Sequence, residues 1–358
     1  MDEIERIEPK YEDCVNKISL VYDSLKTIIL GQDDLLKKLL IGIIANGNIL
    51  LDGVPGLAKT EIVKTIGNHI VGCEFKRLQF TPDLLPTDIF GTKDPDQESD
   101  TDGFIGPVIG KHLVFVDEIN RASPKLQSAL LEAMEEQQIT LYGKKIKMKD
   151  PFMVIATQNP IETEGTYPLP EAQLDRFLFK LEVKYPITHN KEKEIVEKYS
   201  NKEKPSNVSP KNTIKLSELK KLQEKSYEVI VNERAYNYAV SLVRTTRPLE
   251  EDTQVIQKLE NSDSSKDDTN KIQFGASTRA AIHLIKVAKA KAIFEGKDRI
   301  DYDDVHFIAK DVLRHRIILQ LYDLNYTKTV EDLLDNLILN HLESFKNGKT
   351  KGNPGTSK

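Results

Sequence analysis

Apolar positions recur at helical spacing over residues 11–30, through Ile18, Val21, Leu25 and either Ile28 or Ile29, and predict a first helix. Gly31 interrupts it. A second helix is expected from Gln32-Asp33-Asp34, with a buried face on Leu36, Leu39, Leu40 and Ile43. The pattern then changes character. Residues 49–51 form a short continuous apolar run, and residues 75–80 have strand composition. Lys111-His112-Leu113-Val114-Phe115-Val116-Asp117-Glu118 sets four apolar residues ahead of two acids. Residues 152–156 and 177–183 read as two further strands. Helical stretches separate the runs: one over residues 61–71, another opened by Ser123-Pro124 with Leu126, Leu130, Leu131 and Met134 on its buried face. Short apolar strands alternating with helices predict a parallel α/β sheet. Residues 138–148 alternate about Tyr142-Gly143-Lys144 and read as a hairpin. Its basic tip is compatible with substrate contact or with a solvated turn.

From about residue 187 the composition turns to Lys, Glu and Asn, and the spacing stays helical. Helices are expected over residues 216–230, 233–244, 277–294 and 302–321. Ser277 caps the third and Gly296 lies just beyond its end. Val305, Ile308, Val312 and Leu313 give the fourth its apolar face. Residues 250–271 break this rhythm with seven acids against three lysines, net −4 of the chain's −5, and read as an inserted flexible loop. A regulatory loop and a tolerated surface insertion both fit it.

Chemistry enters at Leu50-Leu51-Asp52-Gly53-Val54-Pro55-Gly56-Leu57-Ala58-Lys59-Thr60. A strand, a tight Gly/Pro loop and a Lys-Thr pair opening a helix is the setting of a phosphate-binding loop, whose backbone N–H groups turn inward on phosphate oxygens. Lys59 is placed to reach the outer phosphates and Thr60 to hold Mg²⁺. Ala58 stands where that pattern expects a second glycine. In open α/β sheets ligands sit beyond the carboxyl ends of the strands, which is where residues 113–117 deliver their acids. Asp117 suits the Mg²⁺ shell beside Thr60, and Glu118 suits activation of an attacking water. Asn159, in Thr157-Gln158-Asn159-Pro160, is open to two readings: a bond to the γ-phosphate or that water, or a plain Asn-Pro turn. Arg176, on a loop after Pro168-Leu169-Pro170, is open to two readings: half of a surface ion pair, or a finger reaching a neighbouring subunit's γ-phosphate.

Composition narrows the field. The 358 residues suffice for two domains, and 39% hydrophobic with 30% charged residues is ordinary for a soluble chain. A net charge of −5 gives no general attraction to nucleic acid or acidic membranes. Cys14 and Cys73 form neither a disulfide framework nor a metal spacing. No membrane span or signal peptide is expected, and a cytoplasmic setting follows.

These motifs together identify the chain as similar to the MoxR group of AAA+ ATPases. The resemblance rests on Gly31-Gln32, Gly53 to Thr60, Asp117-Glu118-Ile119-Asn120-Arg121-Ala122, Thr157 to Pro160 and Glu171 to Phe177. Gly275-Ala276-Ser277-Thr278-Arg279-Ala280 and Val312-Leu313-Arg314-His315-Arg316 complete it, over roughly residues 25–320. It implies a P-loop AAA+ parallel-sheet core at 1–186, a small all-α lid at 187–345 and a disordered tail at 346–358. By resemblance Ala58 is ordinary, Gly31 and Gln32 lie near adenine, and Val54, Pro55, Gly56 and Leu57 belong to the nucleotide loop. Asp117 and Glu118 match the Walker B pair, Asn159 sensor 1, Arg176 the arginine finger and Arg279 the sensor 2 arginine. Residues 80–110 hold the insert in helix 2, and 138–148 the pre-sensor-1 hairpin. Thr278 departs from a usual proline. Arg279 near a helix start is disfavoured by the helix dipole, which itself argues for a phosphate partner. The implied activity is Mg²⁺-dependent ATP hydrolysis by a homo-oligomer, a hexameric ring, acting on a protein client. A separate von Willebrand factor A domain protein is the implied partner. A DNA translocase, a chelatase-type motor and a nucleotide-gated scaffold are the alternatives.

Overall fold

The computed structural model describes residues 10–93, 103–141, 144–159, 165–185, 188–200, 204–248, 272–319 and 326–347. The acidic insertion at 250–271, nearly all of the tail at 346–358, the centre of the helix-2 insert and the hairpin tip at Tyr142-Gly143 lie outside them.

Five apolar runs pair into one sheet: β1 (Ile49–Asp52), β2 (Phe75–Gln79), β3 (Leu113–Asp117), β4 (Met153–Gln158) and β5 (Phe179–Glu182), in the order β5-β1-β4-β3-β2. The β1–β4, β4–β3 and β3–β2 pairings are parallel. Position in the sheet explains composition. Residues 49–51, 113–116 and 153–156, on the three inner strands, are at most 1% exposed, so those runs are apolar without alternation. Edge strand β2 is only half buried and carries Lys76, Arg77 and Gln79. On β5 the buried Phe179 and Leu181 alternate with Lys180 and Glu182.

Register aligns the carboxyl ends. Asp52 lies opposite Gln158, Ala156 opposite Val116, and Asp117 opposite Gln79. Helices α1 (Tyr11–Ile28), α2 (Asp33–Ile44), α3 (Lys59–Asn68), α4 (Pro86–Phe90), α5 (Pro124–Glu136), α6 (Glu171–Leu174), α7 (His189–Tyr199) and α8 (Leu216–Glu228) accompany the sheet. Ser123 accepts from the Leu126 N–H at the start of α5, and Leu126, Leu130, Leu131 and Met134 bury its inner face as their spacing predicts. The expected hairpin forms from Gln138–Leu141 and Lys144–Lys147, antiparallel, with Ile139 opposite Ile146.

The chain divides into two compact units: Met1–Phe177 with Leu181–Ser226 and Ile293–Gly296, and Leu178–Lys180 with Tyr227–Ala292 and Lys297–Lys358. This differs from the boundary expected at residue 186. The physical reason is a set of ties in the first unit. Ile214–Lys215 adds in parallel to Ile70–Val71, Lys17 pairs with Glu218, and Gln223 Nε2 donates to the Ile43 carbonyl at 2.8 Å.

The second unit is mainly helical, with helices Glu233–Thr245, Thr278–Phe294, Tyr302–Leu313 and Tyr326–Lys346. The helix expected to run to residue 321 stops at Leu313, because Ile318–Leu319 turns into a strand paired with Ile272–Phe274. The final helix was not foreseen. It docks through His341, whose Nε2 lies 3.0 Å from Ser241 Oγ, while Tyr238 Oη meets His306 Nδ1 at 2.9 Å. Burial pushes His341 down to about 4 and also lowers His306. The unfolded chain, with ordinary histidines, therefore binds more protons below about pH 6.5, and stability falls as pH drops from there towards 4. Urea unfolding at pH 7.5 and pH 5 should differ by about 2 kcal/mol from His341 alone. The His341→Gln protein should lose that part of the difference, and an equal pH dependence in both would remove His341 as its cause.

Candidate active site

The loop after β1 is built on backbone conformations that side chains resist. Gly53 has φ +152°, and a Cβ there would stand 2.8 Å from the Val183 carbonyl oxygen. Gly56 has φ +88° with open space where its Cβ would be. Val54, Pro55 and Leu57 carry the chain between these turns. Ala58, at φ 54° and ψ 25°, takes the left-handed conformation directly before α3. That costs about 1 kcal/mol over glycine, so the turn is demanded by its surroundings. The result is a concave main chain ending at a helix N-terminus, suited to an anion.

Side chains converge below this loop. Lys59 Nζ donates to the Gly53 carbonyl and lies 3.5 Å from that of Gln158. Burial lowers its pKa, against the pull of Asp52, Asp117 and Glu118. Thr60 Oγ1 donates to Asp117 Oδ2 at 3.1 Å, and Thr157 Oγ1 to Asp117 Oδ1 at 2.8 Å. Glu118, at φ 57°, is a second non-glycine residue in the left-handed region. Strain of that kind gathers at functional sites. Its carboxylate takes Gln79 Nε2 at 2.8 Å and Arg121 Nε at 3.0 Å, while its N–H meets Thr157 Oγ1 at 2.9 Å. Asn159 is 4% exposed and accepts from Asn120 Nδ2 at 3.4 Å through its carbonyl.

The outlying candidates divide. Gln32 Nε2 donates to the Lys184 carbonyl at 2.7 Å, and the adjacent Val183 N–H to the Asp52 carbonyl at 2.7 Å. Gly31 and Gln32 are thus held against the segment that Gly53 also touches. Arg176 is not joined to the Asp117–Glu118 group by any described hydrogen bond. It pairs with Glu135 and lies 3.4 Å from the Leu131 carbonyl, towards the far end of α5. Helix rise places Leu131 and Glu135 about 12 and 18 Å along α5 from Ser123, which follows Glu118 by five residues. Arg279 belongs to the second unit, where its N–H meets Ser277 Oγ at 3.2 Å.

The donor set fits Mg²⁺. A hydroxyl and a carboxylate share an edge at Thr60 and Asp117, and Mg²⁺ in nucleotide sites takes one or two protein oxygens with phosphates and water filling the rest. Among the described residues no group of three His, Cys, Asp or Glu could cage a metal on its own.

The profile described as "ATPase family associated with various cellular activities (AAA)" matches residues 48–179, and the AAA lid domain profile matches residues 265–337. The chain is 40% identical over 324 residues to Chaperone MoxR1 of Mycobacterium tuberculosis, covering 89% of this chain and 78% of that protein. The chain belongs to the MoxR family of AAA ATPases. Protein MoxR of Methylorubrum extorquens shares 25% identity over 319 residues, covering 86% and 89% of the two chains. The crystal structure of a candidate ATPase from Cytophaga hutchinsonii is 37% identical with a TM-score of 0.77, covering 91% and 95%. Membership carries the AAA fold with its lid, nucleotide binding and ATP hydrolysis as the family's chemistry. No helix among the described residues is long and apolar enough to cross a membrane.

Sequence reading of this MoxR-family chain missed Arg77, Gln79 and Glu135. Arg77 Nη2 lies 2.8 Å from Asp117 Oδ2 and 3.1 Å from Gln79 Oε1. The available signal was the alternation in Phe75-Lys76-Arg77-Leu78-Gln79, which puts Arg77 and Gln79 on one face of the strand beside β3.

Proposed function

We propose that this chain is a Mg²⁺-dependent ATPase that assembles into a ring, a hexamer, and uses hydrolysis to remodel or mature a protein client. The observation that carries the reading is the connected group at the strand ends: Thr60 on Asp117, Thr157 on Asp117, and Gln79 and Arg121 on Glu118. ATP supplies the labile γ-phosphoryl bond, and a Mg²⁺ ion, when bound, would offset phosphate charge. The main chain from Gly53 to Ala58 and the Lys59 ammonium cradle the phosphates. Thr60 and Asp117 would hold the metal. Glu118 accepts a proton from the attacking water, and Asn159 orients it. Gly31 and Gln32 border the base, and Arg279 of the lid meets phosphate charge.

The distance of Arg176 from Glu118 along α5 favours action on a neighbour's nucleotide, which makes the ring part of the chemistry. The name of the mycobacterial relative supports a protein client over nucleic acid. A separate von Willebrand factor A domain protein fits as its partner, and a cytoplasmic setting fits the composition.

Turnover and particle mass test the reading together. ATP hydrolysis should require Mg²⁺, vanish in EDTA and accompany a ring-sized mass in ATP. Nucleotide binding without turnover, in an assembled ring, would make the chain a scaffold. Turnover stimulated by DNA and weakened by salt would make it a translocase.

A further inference from the structure

Arg77 has no part in the reading above. It lies on the edge strand β2, two residues before Gln79, and the two side chains share one face of the strand. Register sets Gln79 opposite Asp117 but Arg77 opposite Phe115. Arg77 therefore has to reach past its own partner to the end of β3. It does so: Nη2 stands 2.8 Å from Asp117 Oδ2 and 3.1 Å from Gln79 Oε1.

The Asp117 carboxylate is then crowded with donors. Each of its oxygens has two lone pairs. Oδ1 accepts from Thr157 Oγ1 at 2.8 Å, and Oδ2 accepts from Thr60 Oγ1 at 3.1 Å and from Arg77. These donors differ in kind. The two threonines hold the carboxylate by both oxygens, so its orientation is set without Arg77. A hydroxyl can also keep donating to Asp117 while its own oxygen binds a cation. A guanidinium cannot share in this way. It has no lone pair for a metal, it fills the second lone pair of Oδ2, and its charge repels another cation. Lys59 does not compete for the carboxylate, since its Nζ is turned to the carbonyls of Gly53 and Gln158. Exposure separates the two partners: the Asp117 side chain is 14% exposed and that of Arg77 49%. Arg77 has water to withdraw into, and Asp117 does not.

We propose that Arg77 competes with Mg²⁺ for the Asp117 carboxylate and so holds down the affinity of the site for the ion. The inference rests on the reading of Thr60 and Asp117 as the metal-holding pair. A site that binds the ion less tightly lets it go more readily with the spent nucleotide. A unit charge a few ångströms from a divalent cation, in surroundings close to water, weakens its binding about tenfold.

The test is equilibrium binding of the imido analogue of ATP, which is not hydrolysed, with Mg²⁺ in excess and again in EDTA. The ratio of the two dissociation constants is what the ion adds. Arg77→Gln keeps a hydrogen-bond donor and drops the charge, and its ratio should rise about tenfold over wild type, through tighter binding with Mg²⁺. Arg77→Lys keeps the charge, and its ratio should stay within about threefold. A rise confined to Arg77→Gln supports the proposal. No change overturns it, and so does a fall, which would make Arg77 a support that holds Asp117 in place for the metal. An equal rise in both variants overturns it too, because charge would then not be the cause. A rise that comes only from weaker binding in EDTA also overturns it, since Arg77 would then be serving the phosphates. If wild type binds the analogue equally well with and without Mg²⁺, the reading of Thr60 and Asp117 fails and the inference goes with it. Should Arg77→Gln lose analogue binding in EDTA or its folded signal, the comparison is repeated with Arg77→Met. The same loss there assigns Arg77 to the fold and overturns the proposal.

Discussion

Replacing Glu118 by Gln is expected to lower ATP turnover by about 10²- to 10⁴-fold, the usual contribution of a positioned general base. ATP affinity should change little. The reason is local. Glu118 makes no described hydrogen bond to Thr60 or Lys59, and its carboxylate is occupied by Gln79 at 2.8 Å and Arg121 at 3.0 Å. An amide has nearly the same shape, and its oxygen in the place of Oε2 can still accept both bonds, so the strained turn at φ 57° has no cause to relax. What the amide lacks is a basic site for the proton of water. Equilibrium binding of ATP with the variant, set beside its single-turnover rate, checks both halves. A variant within threefold of wild-type turnover would make Glu118 a structural acid. Loss of binding along with turnover would mean that it holds the phosphate loop.

The fold was legible where physical context left the chain little choice. The three inner strands could be read because both their faces are buried, so Leu113 to Val116 and Met153 to Ala156 have no polar alternation to mislead. The tight turn after β1 could be read because Gly53 and Gly56, both at positive φ, mark it ahead of Lys59-Thr60, whereas Ala58, at φ 54°, takes a left-handed conformation that its residue type does not announce. Contacts distant in sequence were not legible. Residues 302–321 look helical throughout, yet Ile318–Leu319 pairs with Ile272–Phe274, a partner that local spacing cannot announce. Arg77 and Gln79 gained their roles only because register sets Gln79 beside Asp117. The extent of the first unit depends on the same kind of tie, Lys17 to Glu218 across 201 residues.

Arg176→Ala is the larger expected effect, about 10³-fold or more in turnover, because a guanidinium brought to a transferring phosphoryl group meets charge that exists only in the transition state. The structure bears on how that effect separates from stability. Arg176 and Glu135 have side chains each 34% exposed, and a pair so wetted contributes below about 1 kcal/mol. The melting temperature should therefore scarcely move, while Leu131 and Phe177 continue to bury the helix and strand beside it. The same weakness makes the pair easy to exchange: a triphosphate offers Arg176 more charge than Glu135 does, so release from α5 is no barrier to action on a neighbour. Thermal unfolding and turnover measured on the same preparation test the separation. A fall in melting temperature like that of a core truncation would reassign Arg176 to the fold. Turnover within tenfold of wild type, in an assembled ring, would leave the Glu135 ion pair as its whole role.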